Sequence, residues 1–342
     1  MAHRATISDV ARAAGVSVAT VDRVLNGRQP VREDTARRVL DAAESVGFHA
    51  RGLIHKRLER DLPKARLGFI LQKPGQFFYR EFARQIEAAA ASLEGFRVVP
   101  VIDYAASQAP VDLAAKLREM AGRADAIAMV APDHPTLAAS VASVRDRGVP
   151  VYALLSDFAT GIRDGYFGVS NLKVGRTAAW MIARLARRPG KVALFVGSHR
   201  FQGHELREVG FRSYFREHAP QLQVLDTMVN LETRQISREA TIELLHRHPD
   251  LVGLYVAGGG MEGAIQALRE EGRSGDPIAV VNENTPETRA ALADAVIVMA
   301  IATPLADLCR DMVHTMVRKV AGIGVEAGPA FLPFDILLPE NI

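Results

Sequence analysis

The N-terminal stretch ATISDVARAAGVSVATVDRVLNG places Ile7, Val10, Ala11 and Ala14 at the i, i+3, i+4, i+7 spacing of one helical face. Thr6, three residues ahead of Asp9, starts that helix as a capping-box pair in which Asp stands for Glu. Gly15 offers a left-handed exit, Val16 fills the gap between helices, and Ser17 is a good N-cap for a second helix. There Val21, Val24 and Leu25 turn inward, which leaves Val18, Ala19, Asp22 and Arg23 near the opposite face and Asn26-Gly27 as the stop. A third helix is predicted from about Arg32 to Val46 on the stripe Ala36, Val39, Leu40, Ala43 and Val46. Two short helices across a Gly-containing turn read as a helix-turn-helix, whose second helix enters the major groove of DNA. A three-helix bundle that binds protein is the plainer alternative.

After the Pro63-Lys64 linker the pattern changes to short apolar runs separated by helical periodicity. The runs are Leu67–Leu71, Arg97–Asp103, Ala126–Val130, Pro150–Leu155, Lys191–Val196, Val224–Val229, Leu251–Val256, Pro277–Val281 and Val296–Ile301. Helical spacing recurs between them, as in Phe82/Ile86/Ala89/Leu93 and Ile265/Leu268. Continuous apolar strands alternating with helices mean parallel sheets covered on both faces. A break near residues 168–175 divides them into two sheets, so the fold class is α/β with an all-α head.

Composition narrows this further. With 342 residues, 48% hydrophobic and 24% charged, the chain has enough core for two or three compact units. No apolar run reaches the roughly 18 residues that span a bilayer, and the first residues lack the apolar segment of an export signal, so no membrane partner is expected. The single Cys309 lies in an apolar-periodic stretch, where it reads as a buried structural thiol in a reducing cytoplasm. Residues 1–61 hold 11 Lys and Arg against 8 Asp and Glu, while the other 281 residues carry 31 of each. The whole excess of +3 therefore sits in the N-terminal sixth, as in a nucleic-acid-binding head on a neutral body.

The segment T-I-S-D-V-A-R-A-A-G-V-S-V-A-T-V-D-R-V-L-N-G resembles the N-terminal signature of lac repressor (LacI/GalR) family transcription regulators, and V-R-E-D-T-A-R-R-V-L-D-A-A-E-S-V-G-F resembles that family's third helix. The resemblance implies a DNA-contacting set of Thr6, Ser17, Val18, Ala19, Thr20, Asp22, Arg23, Asn26 and Arg28. Of these, Val18, Ala19 and Arg23 fall where the family reads base edges, and Thr20 falls at a phosphate-contacting position. Asp22 replaces the usual Ser, where it could accept from a cytosine amino group. Ala50-Arg51 replace the family's Pro-Asn pair, and Leu58 lies near the hinge position that enters the minor groove.

The order of runs after residue 66 resembles the ribose-binding-protein-like, periplasmic-binding fold that this family uses as its effector domain. It implies a head over 1–49, a hinge over 50–65, an N-terminal lobe of 66–168 plus 302–328, and a C-terminal lobe of 169–301 plus 329–342, with chain crossings near 168, 302 and 329. The ligand cleft then lies at the carboxyl ends of the strands. Carried over by position, Gln76, Phe77 and Phe78 would flank a sugar ring, although two core Phe residues at a helix start would look the same. Asp157-Phe158, Asn171, Gly258, Glu283 and Thr303 take further cleft positions. Arg207 falls on the Arg that forks onto ligand hydroxyls or carboxylates, unless it forms an ion pair across the lobes. The family further implies double-stranded operator DNA and a small polar effector (a monosaccharide, polyol or sugar acid) as partners, a homodimer, and neither catalysis nor a cofactor.

Gly258-Gly259-Gly260-Met261-Glu262-Gly263 matches G-x-G-x-x-G after a predicted strand, with Glu283 ending the next one. An NAD-binding oxidoreductase or redox sensor is therefore the rival reading. The motif's position after the third strand of a lobe, rather than in a first βαβ unit, weighs against it. His246 and His248 do not share a helix face and suggest no metal site. His199, His204 and Glu205 could line the cleft mouth but read better as solvated loop residues.

Overall fold

A computed structural model describes residues 5–26, 31–48, 62–324 and 328–342. The chain divides into two compact units, Met1–Ala65 with Ala91–Val99, and Arg66–Ala90 with Pro100–Ile342.

In the first unit, helices α1 (Ile7–Ala14), α2 (Val18–Asn26) and α3 (Glu33–Ser45) close on a small core of Val10, Ala14, Val21, Val24, Val39, Ala43 and Phe48. Thr6 caps α1: its Oγ1 accepts from the Asp9 amide while the Asp9 carboxylate accepts from the Thr6 amide at 2.9 Å. Gly15 ends α1 in the left-handed region at φ 64°. The Arg38 guanidinium of α3 donates to the Ala14 carbonyl at 2.6 Å, so α3 satisfies an acceptor that the end of α1 exposes.

The second unit carries two sheets. The first has the order β12-β5-β4-β3-β1-β2, made of β1 (Lys64–Leu71), β2 (Arg97–Tyr104), β3 (Ala126–Met129), β4 (Val151–Leu154), β5 (Gly165–Val169) and β12 (Gly328–Leu332). The second has the order β13-β11-β10-β9-β6-β7, made of β6 (Gly190–Val196), β7 (Leu222–Val224), β9 (Leu251–Val256), β10 (Ile278–Asn282), β11 (Met299–Ala302) and β13 (Asp335–Leu337), with the short β8 (Met228–Val229) also on β6. Neighbours β3, β4 and β5, like β6, β9, β10 and β11, run parallel, and β13 runs antiparallel to its neighbour β11. Helices α4 (Phe77–Ser92), α5 (Pro110–Met120), α6 (Pro135–Asp146) and α12 (Leu305–Val320) belong to the first lobe; α7 (Asn171–Leu185), α8 (Gln202–His218), α9 (Arg234–Arg247), α10 (Met261–Glu270) and α11 (Pro286–Ala293) belong to the second.

Several expected boundaries move. The run Val224–Val229 is two strands, because Leu225 and Thr227 turn aside to meet Arg212. The run from Val296 starts as a turn packed on α11, with the Val296 amide donating to Ala291, and becomes strand only at Met299. The third crossing between lobes falls after Leu332 rather than near 329, since β12 pairs with β5 through Leu332. Cys309 is buried in α12, and burial pushes its thiol up, as a structural cysteine requires. No helix among the described residues is long and apolar enough to cross a membrane.

Candidate DNA-reading helix and effector cleft

Helix α2 is held at its start by Ser17, whose Oγ accepts from the Thr20 amide at 3.1 Å and pairs with the Thr20 hydroxyl at 2.9 Å. With Val21 and Val24 buried, Val18 is left 49% exposed, and Ala19, Arg23 and Asn26 share the open side. An exposed valine on a short helix costs solvation unless something covers it, and a thymine methyl is one group that would. Arg23 folds along the helix, its Nε donating to the Ala19 carbonyl at 3.2 Å. Asp22 accepts from Asn26 Nδ2 at 2.6 Å, so its carboxylate is tied along the helix rather than free. Arg28 and Leu58 lie outside the described residues.

The cleft is built around Arg207. Helices α7 and α8 touch backbone to backbone: a Cβ on Gly175 would lie 1.9 Å from the Arg207 carbonyl oxygen, and one on Gly210 would lie 2.2 Å from that of Leu172. That approach sets Arg207 beside Asn171, where its Nε donates to Asn171 Oδ1 at 2.8 Å and its Nη1 to the Ala257 carbonyl at 2.8 Å. Arg207 is only 8% exposed, and among the described residues no carboxylate lies within 4.0 Å of it. A lobe-to-lobe ion pair through Arg207 is therefore not formed.

A cavity opens in front of it, between the two lobes. Gln76, Phe78, Tyr79, Gln108, Val130, Leu155 and Ser156 line it from the first lobe; Asn171, Phe201, Gly203, His204, Arg207, Glu232, Gly258, Gly259, Met261, Glu262 and Glu283 line it from the second. Phe78 and Tyr79 meet edge to face at 5.2 Å, giving one apolar wall. Four of the expected residues stand elsewhere. Phe77, one residue earlier on α4, is rotated off the wall that Phe78 and Tyr79 occupy. Asp157 is turned to Arg163 in a two-point ion pair, and Phe158 is fully buried in the first lobe's core. Thr303 sits behind Glu283, donating to its carboxylate through its amide and its hydroxyl, each at 3.0 Å.

Sequence reasoning missed His204 and Glu232 as a pair. His204 Nε2 lies 3.6 Å from Glu232 Oε1, in the cavity wall rather than in a solvated loop, whereas His199 and Glu205 are exposed. Burial lowers the His204 pKa against the pull of Glu232. Burial acts to raise Glu232, but His204 and Lys73 outweigh it and hold the carboxyl below its ordinary value. Lys73 also reaches across from the first lobe to Glu232 at 3.1 Å and to the Leu231 carbonyl at 2.6 Å, and Gln76 Nε2 donates to the Glu232 carbonyl at 3.0 Å. Leu231 and Glu232 both have positive φ, at 51° and 52°, a conformation that no motif announces.

The glycines of the G-x-G-x-x-G match are all occupied by packing. A Cβ on Gly258 would lie 2.9 Å from His204 Nε2, and one on Gly259 would lie 2.9 Å from the Glu232 Cβ. Gly260 is left-handed at φ 88° with Ser237 Oγ 2.4 Å from a Cβ position, and a Cβ on Gly263 would lie 2.0 Å from the Arg234 carbonyl oxygen, so the glycine lets α10 pack closely on α9. They make room for the His204–Glu232 pair and for helix contact, which accounts for the motif without a dinucleotide.

Residues 67–323 match the periplasmic binding protein domain family, and residues 6–50 match the bacterial regulatory proteins of the lacI family. The chain belongs to the lacI family of regulators. It is 42% identical over 89 residues to catabolite control protein A of Priestia megaterium, a match that spans 25% of each chain. It is 24% identical over 276 residues to the transcriptional regulator DegA of Bacillus subtilis, covering 72% of this chain and 71% of DegA. Among solved structures, an ABC transporter solute binding protein from Agrobacterium vitis superposes with a TM-score of 0.73 at 23% identity, over 81% of this chain and 95% of that one.

Proposed function

We propose that this protein is a DNA-binding transcription regulator, a repressor, whose operator affinity is set by a small polyhydroxylated ligand held between the two lobes. The observation that carries the reading is the buried Arg207 fork, fixed by Asn171 and Ala257 and facing a cavity with an aromatic wall and amide and carboxylate acceptors. Aromatic faces suit the C–H face of a sugar, and planar donors suit neighbouring hydroxyls. The similar solute binding protein holds α-D-tagatopyranose, which supports the same ligand class here. Of the residues expected at the cleft, Gln76, Phe78, Asn171, Arg207, Gly258 and Glu283 are assigned to the ligand, and Val18, Ala19 and Arg23 to base edges. Two heads on two half-sites require two-fold symmetry, so the working form is a homodimer in the cytoplasm.

The experiment is selection of binding sites from random duplex DNA, followed by titration at fixed salt with and without monosaccharides and polyols. A two-half-site operator whose occupancy changes with one of those compounds is expected. Failure to select any preferred sequence would overturn the reading.

A further inference from the structure

Many polar groups of the cleft are already bonded within the protein. Arg207 donates to Asn171 and Ala257, and the Asn171 side-chain nitrogen donates to the Leu155 carbonyl at 3.0 Å. Ser156 Oγ accepts from the Gly203 amide, Gln76 donates to the Glu232 carbonyl, and Glu283 accepts from Thr303. Tyr79 differs. It stands in the first turn of α4, lines the cavity and is only 7% exposed, yet its hydroxyl has no hydrogen-bond partner among the described residues. Every fully enclosed side-chain nitrogen or oxygen among those residues does have a partner, so the Tyr79 oxygen belongs to the small part of the residue that the cavity still reaches. The charges that act on the phenol are Glu232, Glu283 and Arg207, all of them cavity-lining residues of the second lobe, so the hydroxyl faces across the cleft. Burial, then Glu232 and Glu283, push its pKa well above the ordinary 10, which keeps the proton on the oxygen for donation.

The ring packs edge to face on Phe78, so the hydroxyl cannot swing out to solvent without giving up that contact. A ligand that fills the cleft must therefore offer the phenol an acceptor or leave it unpaired in an enclosed space, at a cost in affinity. Selection for an oxygen is strongest at such a point, because an analogue lacking it strands the protein's donor. We propose that Tyr79 is a specificity-determining residue of the cleft, whose hydroxyl donates to one hydroxyl of the effector and selects for oxygenation at that single carbon. The inference rests on the polyhydroxylated-ligand reading above and refines it.

The test uses the full chain and calorimetry with a panel of common D-aldohexoses, D-aldopentoses, D-ketohexoses and hexitols, followed by the monodeoxy derivatives of the member that binds most tightly, on wild type and Tyr79→Phe. The variant keeps the ring and removes an oxygen that has no partner in the protein to lose, so its melting temperature should match that of the wild type. It is expected to bind the parent compound about tenfold more weakly. One monodeoxy derivative should bind the wild type about tenfold more weakly than the parent does, and should bind the two proteins equally to within about twofold, because that hydrogen bond is already missing. A loss by the same factor for the parent and for every derivative makes Tyr79 a structural residue; that result, or a parent affinity that Tyr79→Phe leaves unchanged, overturns the inference and leaves the sugar reading standing. Binding by no member of the panel overturns the sugar reading and the inference with it.

Discussion

Arg207 shows how much one side chain can be asked to do when its own backbone is fixed first. Its guanidinium is buried, satisfied on two sides and open to the cavity, so Arg207→Ala removes the ligand's bidentate partner and is expected to abolish the ligand response of operator binding; a response at wild-type ligand concentrations would contradict this. Glu262 gives a pH prediction. Its folded pKa is raised, so its ionisation costs stability at neutral pH, and that cost disappears as pH falls through the folded value toward the ordinary one of 4.5. Glu262→Gln should therefore raise the melting temperature of the ligand-free protein at pH 8, with the gain shrinking toward zero near pH 4. A gain independent of pH would point to packing instead. At this scale the sequence was unevenly legible. Arg207 and Asn171 could be found because each falls at a position where the chain resembles the family pattern. Glu232 could not, because its position depends on two consecutive left-handed residues and on a lysine 159 positions earlier in the chain. Asp157 misled because Arg163, only six residues on, takes its carboxylate before the cleft can.

Helices and strands followed their local chemistry more closely. The Thr6 box, the Gly15 exit and the Ser17 cap appear where short-range rules put them, since each needs only three or four neighbouring residues. Ser17→Ala leaves the Thr20 amide without its acceptor and should destabilise α2 by about 1 kcal/mol, seen as lowered helix protection in hydrogen exchange; unchanged protection at Thr20 would refute the cap. The elements that were missed are those whose order comes from pairing. Gly165 and Gly168 break the apolar run of β5, and β12 and β13 are edge strands in a proline-containing tail, where edges tolerate what central strands do not. Close helix contact was equally invisible, because a glycine in a helix signals nothing until its partner is known. Gly175→Ala forces α7 and α8 apart at the Arg207 carbonyl and should cost about 1–3 kcal/mol in denaturant unfolding; a neutral result would mean that the contact is looser than 1.9 Å implies.

For the whole molecule, the two lobes of the body are joined by more than the three chain crossings. Lys73 and Gln76 of one lobe hold Leu231 and Glu232 of the other, and Gly203 of the second lobe donates to Ser156 of the first at 3.0 Å. These contacts belong to a closed cleft, so Lys73→Met should shift the ligand-free protein toward an open one, with a larger radius of gyration in solution scattering that saturating ligand reverses. An unchanged radius would mean that the crossings alone set the lobe angle. The alternating runs had already implied two parallel sheets with a cleft at the strand ends, which is the level at which the pattern is most redundant. Which side chains line the cleft depends on contacts between segments far apart in the chain, and so came from the structure.

The central claim is that one ligand in the cleft changes the affinity of the head for DNA, and a ligand can do so only by binding the two states differently. The most direct measurement is a titration of the selected operator with the full chain at fixed salt, without and with the compound that calorimetry identifies, in the wild type and in Arg207→Ala. The account predicts that the ligand shifts the wild-type operator dissociation constant by about tenfold, within the usual range of coupling energies, and that Arg207→Ala shows no shift at the same ligand concentration. An operator dissociation constant that is the same with the cleft empty and saturated would contradict it.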